Sequence, residues 1–597
     1  MENQNTERGA WTSKLGFILA AAGSAIGLGN IWRFPYITGE NGGAVFLMVY
    51  LGFIFLIGLP VMITELIVGR RTERNPVGAL AILNPASQWK LIGGLGVLTG
   101  FAILSFYSVI AGWTVGYIVK SIGWGLEAAG TPSELGNVFK GFISNPWLSI
   151  SYLLIFIFMT ALVVAGGVKG GIERWCKILM PVLLGLLVLM IIRAVTLPGA
   201  SKGIAFYLKP DFSKITGEVM LKAMGQAFFS LSLGMGAMVT YGSYLSKKDN
   251  LATSGFAVCM FDTLIAVMAG MAIFPALAYL NAKPDAGPNL IFIVLPGIFA
   301  EMPGGTVLGP LFFLLLAIAA LTSTVSLLEV VTAYFVDEKK WSRIKAVWII
   351  GGSCFLFAIL SALSQNIVPG LAKLPILGVS FMDLMETAFI TYSLPIGALF
   401  LSIFVGWIWG IKPALEEITL GNPHFAGRSI ISFFAGISED RLERKTTPEF
   451  SSAALWGIII RFIAPIAIFI LIVQSLNIPE NYLHLLLIIS AILLDGFLIW
   501  LGTQLFAKPQ SGIMRSFLPP VIRFLALIIF GPIFLLIPYL GIFLIAILAV
   551  VLNYFLIKPV FAIDTKKAIL ITLVVTAAEI VIGIVEYFII TWQIFAA

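Results

Sequence analysis

Residues 11–36 read WTSKLGFILAAAGSAIGLGNIWRFPY, an apolar stretch that carries GSAIGLGN, Gly23 to Asn30, in its middle. About 20 apolar residues cross roughly 30 Å of hydrocarbon at about 1.5 Å each, so the stretch is long enough to span a bilayer. Its centre is poor helix. Glycine costs about 1 kcal/mol per helical position, and Ser and Asn compete for backbone hydrogen bonds. The cluster therefore predicts unwound backbone at mid-membrane depth, which is tolerated only where it lines a cavity or binds something. The apolar run 218–244 repeats the pattern with SLSLGMG, Ser230 to Gly236, at its centre. Interruptions at corresponding positions of two halves point to a midplane binding site, and a separation of five spans fits two five-helix repeats. A lone Gly pair would be explained better by close helix packing through small residues.

The composition agrees with a membrane chain. Of 597 residues, 59% are hydrophobic and 11% charged, with a mean hydropathy of +1.01. A soluble domain carries about 25% charged residues, so this chain could not cover a water-facing surface. Apolar runs of spanning length fall at 11–37, 42–69, 91–120, 147–166, 174–197, 218–244, 251–280, 307–337, 345–362, 381–410, 452–474, 482–506, 521–537, 540–557 and 568–592, fifteen in all. The fold expected is an all-α polytopic membrane protein. Its core is 1–410, with repeat one at about 11–197 and repeat two at about 218–410. A solvated cytoplasmic loop at 411–451, accessory helices at 452–506 and a further membrane extension at 507–597 follow.

Basic residues gather in short loops: Arg70, Arg71 and Arg74; Lys247 and Lys248; Lys339, Lys340 and Arg343; Arg441, Arg444 and Lys445. The positive-inside rule puts these in the cytoplasm, with the N-terminus, of a plasma membrane or cell inner membrane. Lys202, Lys209 and Lys214, in the loop 198–217, run against that pattern. The net charge of +7 thus reports topology, and no nucleic-acid partner is expected. No cleaved signal peptide is expected. Cys176, Cys259 and Cys354 lie far apart, and His424 and His484 cannot complete a zinc site, so neither disulfides nor zinc are expected.

Oxygen-bearing side chains recur at the depth of the two interruptions. Thr322 is the centre of 307–337, Tyr107 lies near the centre of 91–120, and Asp262 is eleven residues, ~16 Å, into 251–280. A carboxylate near the bilayer centre is costly and marks an ion or proton path by default. Asp262 could instead be a structural carboxylate paired with a buried donor. Hydroxyls, carbonyls and a carboxylate together suit an alkali cation.

At these residues the chain closely resembles the neurotransmitter:sodium symporter family, especially its bacterial amino acid transporters. The resemblance runs from about Arg8 to Leu505. It is carried by 11–36, by ENGG at 40–43, GQAFFSLSLGMGA at 225–237 and ALTSTVS at 320–326. It implies two inverted five-helix repeats with the first and sixth helices broken, accessory C-terminal helices, and sodium-coupled uptake by alternating access.

The resemblance places a first Na+ at the Ala25 carbonyl, Asn30, Ser230 and Asp262, and a second at the carbonyls of Gly23, Ile26 and Ala319 with the hydroxyls of Thr322 and Ser323. The substrate carboxylate would meet the amides of Leu28 and Gly29, at a half-helix N-terminus, and the Tyr107 hydroxyl. Its ammonium would meet carbonyls at Phe229 and Ser230, with Ser232. Ser24, Ile103, Phe229, Met235, Ser323 and Leu327 would line the side-chain pocket.

Gly27 stands where monoamine-carrying members have a carboxylate, so the substrate should bring its own. Met235 can repack around larger ligands, although core filling would explain it equally well. A neutral, hydrophobic or aromatic amino acid is expected, moved without chloride because Asp262 and Ala266 replace the Asn and Ser of chloride-dependent relatives. Arg33 with Glu386 would form the outer gate, and Arg8 with Asp337, near Trp11 and Tyr244, the inner one. Glu65 reads as the cap of a buried polar network. A channel or a transport-deficient sensor on the same fold is the alternative. An integral membrane enzyme would need a nucleophile with its base, or metal ligands, at membrane depth, and none is visible.

Overall fold

The computed structural model describes residues 9–85, 88–122, 132–280, 290–375, 378–420 and 452–475, with positions 569 and 572. The chain divides into two compact units, Met1–Ser475 and Leu476–Ala597. The first is described below. The spans expected at 482–506 and within 521–592 lie outside the described residues.

Among the described residues the elements are helices, with no strand. Among the described residues nine helices are long and apolar enough to cross a membrane, ten with the bent pair that forms α1. With the shorter, interrupted α6, the elements in chain order are α1 (Lys14–Ala25 and Gly29–Glu40), α2 (Ala44–Thr72), α3 (Lys90–Ile122), α4 (Pro146–Ala165) and α5 (Val168–Val195). They continue with α6 (Gly217–Ser230 and Ala237–Gly242), α7 (Leu251–Tyr279), α8 (Gly305–Lys339), α9 (Arg343–Leu363), α10 (Phe381–Thr419) and α11 (Leu455–Ser475). Each overlays one of the first eleven apolar runs of the sequence.

The breaks fall where the glycine clusters put them. Ser13 caps the first half of α1, its hydroxyl accepting from the Gly16 amide at 3.0 Å. That half stops at Ile26, whose backbone is extended (φ −74°, ψ 106°), and the second half leaves at 53°. In α6 the helix stops after Ser230, and Ser232, Gly234 and Gly236 take φ of 54°, 87° and 78°. Gly234 has a second reason to be glycine: a Cβ there would lie 2.0 Å from the Leu394 carbonyl oxygen of α10.

Burial sorts the spans into layers. In α8, 89% of the apolar window is buried, against 28% in α5, so α8 is central and α5 peripheral. The most extensive helix pair is α3 with α8. Apolar side chains such as Leu154, Phe158, Ile178 and Leu189 face outwards, as suits a lipid-exposed surface. All three cysteines are buried free thiols.

The expected connector at 411–451 begins differently from its reading as solvated loop. Gly410, at φ 99°, bends the chain, and Ile411–Thr419 is a helix with Ala414, Glu417 and Ile418 buried. Ile411, Ala414, Leu415 and Ile418 lie three to four apart on one face. The adjoining charges Lys412, Glu416 and Glu417 masked that stripe. Glu417 itself is the centre of a buried cluster. Arg70 Nε pairs with it at 2.8 Å, Lys247 at 3.3 Å and Arg71 at 3.5 Å. Arg70 also donates to the carbonyls of Asp249, at 2.7 Å, and of Glu417. These contacts put the ends of α2, α6 and α10 at one end of the bundle.

Arg70 and Glu417 have no exposed side-chain surface. Removing one partner strands a buried charge. Glu417→Ala is therefore expected to cost about 3–5 kcal/mol, read as a lower melting temperature and folded yield in detergent. Lys222→Ala, which breaks an exposed pair with Glu218, should cost less than about 1 kcal/mol. Equal effects would show that the cluster does not hold these helices together.

Candidate functional site

The unwound ends of α1 and α6 meet α7 at Asp262, which is fully buried. The Ser230 hydroxyl lies 2.9 and 2.8 Å from its two carboxylate oxygens. Asn30 donates to Oδ1 at 2.8 Å, and the Tyr50 hydroxyl lies 3.3 Å from Oδ2. Asn30 also accepts from the Gly27 amide, at 3.3 Å. All the side chains donating to Asp262 are neutral, so no protein cation balances its charge among the described residues. A buried charge without a partner is expensive. This cluster of hard oxygens around one carboxylate can take a small cation.

A second oxygen cluster lies where the first half of α1 ends against α8. Thr322 Oγ1 is 3.4 Å from the Ile26 carbonyl and 3.0 Å from that of Ala319. Ser323 Oγ is 3.3 Å from the carbonyls of both Ser24 and Ile26. Gly23 packs directly on this pair, since a Cβ there would be 3.2 Å from Thr322 Cβ.

Between the clusters is a cavity. Ser24, Ala25, Gly27 and Gly29 line it from α1, Ile103 and Tyr107 from α3, Phe229, Ser232 and Met235 from α6, and Ser323 and Leu327 from α8. No acidic or basic side chain lines it. Two expected members sit otherwise: Ser230 is engaged with Asp262, and Leu28 lines the cavity above while its amide donates to the Tyr107 hydroxyl at 2.8 Å. A Cβ at Gly27 would lie 2.5 Å from Ser323 Oγ and 2.6 Å from the Tyr107 oxygen, so a side chain there would have to displace these hydroxyls.

The upper cavity holds Arg33, Tyr36, Glu386 and Phe229. The Arg33 guanidinium sits 4.7 Å above the Phe229 ring, which separates the two cavities. Arg33 and Glu386 share this space without an ion pair within 4.0 Å. At the other end Trp11 donates its indole N–H to the Tyr241 carbonyl at 3.0 Å and meets the Tyr241 and Tyr244 rings edge-on. Asp337 accepts from the Asn75 amide at 2.9 Å. Arg8 lies outside the described residues.

Further contacts brace the site, some through residues such as Tyr50, Gln226 and Glu173 that carry no local sequence signature. Tyr50 reaches Asp262, and Gln226 donates to the Gly29 carbonyl at 2.9 Å. Tyr244 donates to Glu329 at 2.7 Å, and Glu329 pairs with Arg343. Glu173 accepts from the Thr12 amide at 2.8 Å and the Ser13 hydroxyl at 3.2 Å, tying the start of α1 to α5. Glu65 accepts from the Gly234 amide at 2.6 Å, a direct brace on the unwound part of α6. Glu329, like Glu65, can be found from sequence as a carboxylate inside an apolar run.

These arrangements have counterparts among known proteins. A family model of the sodium:neurotransmitter symporter family matches residues 8–130 and 143–437. The Bacillus subtilis (strain 168) protein named uncharacterized sodium-dependent transporter YhdH is 38% identical over 470 residues, covering 78% of this chain and 98% of its own length. The sodium- and chloride-dependent neutral and basic amino acid transporter B(0+) of Mus musculus is 28% identical over 499 residues, 70% of this chain and 75% of that one. The crystal structure of MhsT in complex with L-phenylalanine is 44% identical, with a TM-score of 0.68 over 78% of this chain and 100% of that one. The chain belongs to the sodium:neurotransmitter symporter family, a family of transporters and not of enzymes.

Proposed function

We propose that the protein is a sodium-coupled symporter of a neutral, hydrophobic or aromatic amino acid, working by alternating access and without chloride. The observation that carries this is the cavity between two oxygen clusters, lined by no charged side chain and crowded by hydroxyls at Gly27. A ligand there must supply its own charges. An amino acid does so: its carboxylate can meet the amides at the start of the second half of α1, where the helix dipole favours an anion. Its ammonium can meet carbonyls freed at the end of the first half of α6. The apolar residues Ile103, Met235 and Leu327 receive its side chain. The complex of MhsT with L-phenylalanine supports this substrate class.

Two Na+ sites follow from the two clusters. The first is Asn30, Ser230 and Asp262 with the Ala25 carbonyl, the second Thr322 and Ser323 with the carbonyls of Gly23, Ile26 and Ala319. Arg33 and Glu386 form the gate on the outer side. Trp11 and Tyr244, with Asp337 and Arg8, form the gate on the cytoplasmic side, where the N-terminus also lies. A gate must open, so weak ion pairs and an aromatic plug suit it better than a strong lock.

Radiolabelled amino acid uptake into proteoliposomes tests this reading. An imposed sodium gradient is expected to drive accumulation of at least one neutral amino acid. Failure with all twenty would refute symport in favour of a channel or a sensor.

Thr322→Ala with Ser323→Ala leaves the second site with carbonyls alone. At about 1 kcal/mol per lost ligand the two hydroxyls sum to about 2 kcal/mol, so the sodium concentration for half-maximal amino acid binding should rise about thirtyfold. An unchanged sodium dependence in a scintillation proximity assay would remove these residues from the site.

Chloride independence has its own test. A unit charge about 4 Å away is worth about 4 kcal/mol at an effective dielectric of 20, enough to hold sodium and repel chloride. Uptake should persist when gluconate replaces chloride, and Asp262→Asn should abolish that persistence. Loss of wild-type uptake in gluconate would overturn the proposal.

A further inference from the structure

The cavity has one wall that the sequence reading did not assign. Leu394, at the start of the α-helical part of α10 that follows the π turn Thr387–Ser393, lines it beside the residues of α1, α3, α6 and α8. Glu386 and Ile390 line the upper cavity. Residues 386, 390 and 394 thus form one stripe that runs down α10 past both cavities.

Leu394 is fixed on two sides. The neighbouring Ser393 hydroxyl is hydrogen-bonded to Thr99, one turn before Ile103 on α3, and both hydroxyls are buried. On the other side the α10 backbone abuts the unwound part of α6. A Cβ at Gly234 would be 2.0 Å from the Leu394 oxygen, and a Cβ at Gly397 would be 2.1 Å from the Gly234 oxygen. Leu394 is 2% exposed and has no empty space behind its backbone to retreat into. Met235, by contrast, is an unbranched thioether that can change rotamer around a ligand.

We propose that Leu394 is a specificity-determining residue that closes the apolar end of the cavity and limits the bulk of the substrate side chain. The inference rests on the amino acid reading above. With the substrate's charged end held at Leu28, Gly29 and Tyr107, its side chain points away from them. Met235 adapts to that side chain, and Leu394, clamped through its backbone, does not.

The test uses the full-length protein with L-alanine, L-leucine, L-phenylalanine and L-tryptophan as probes, in sodium-dependent binding. One methylene in an apolar pocket is worth about tenfold or more in discrimination. Leu394→Phe should lower the affinity ratio of L-tryptophan to L-alanine by about tenfold, and Leu394→Ala should raise it. Leu394→Val, the mildest change, should raise it by a smaller factor and guards against misfolding of the other two. Ratios that stay constant in the variants, with the wild type binding, would overturn the inference alone. A wild type that binds none of the four yet takes up another amino acid would overturn this inference alone, and one for which all twenty fail would overturn the amino acid reading and this inference with it.

Discussion

Backbone that leaves the helix inside a bilayer has nothing to bond to unless the protein or a solute supplies it. That constraint, met twice at the same depth, organises the molecule. At Gly27 and Leu28 and from Ser232 to Gly236 the i to i−4 ladder is interrupted. Each freed group must find a partner, and the surrounding helices are placed to provide them: Tyr107 for the Leu28 amide, Gln226 for the Gly29 carbonyl, Glu65 for the Gly234 amide. What the described protein groups leave unbalanced is the charge of one carboxylate, Asp262, whose donors are all neutral. The binding capacity of the site is the charge that the fold leaves open.

The glycine spacing made the breaks legible, because the cost of glycine in a helix is local and can be read residue by residue. Asp262 was legible for a similar reason, since a carboxylate inside an apolar run stands out before its partners are known. Tyr50, Gln226 and Leu394 were not. Each is an ordinary residue in an apolar or amphipathic run, and its role comes from which distant element it faces. Arg343 read as a loop charge from its position after α8, whereas it is folded back onto Glu329. The helix Ile411–Thr419 was obscured because its buried face contains Glu417, and a sequence pattern counts a glutamate as solvent-facing unless its partner is known.

The end of the bundle that carries Glu417, Glu329 and Glu173 is held differently from the centre. There the polar groups are charged and saturate one another: Glu417 with three cations, Glu329 with Arg343 and Tyr244, Glu173 with Lys177, Thr12 and Ser13. Such contacts strengthen as water is excluded and weaken as it enters. The centre and this end of the same helices therefore answer to different conditions, the centre to the charge that balances Asp262 and this end to hydration.

The three thiols offer an unplanned convenience. Cys176, Cys259 and Cys354 are all buried and unpaired, and a thiol must ionise and be reached before it reacts. A maleimide fluorophore or nitroxide should thus pass over the native protein, so a single cysteine introduced at an exposed position such as Lys222 would be labelled almost alone. Distances between two such labels could then be followed through the transport cycle without first building a cysteine-free background.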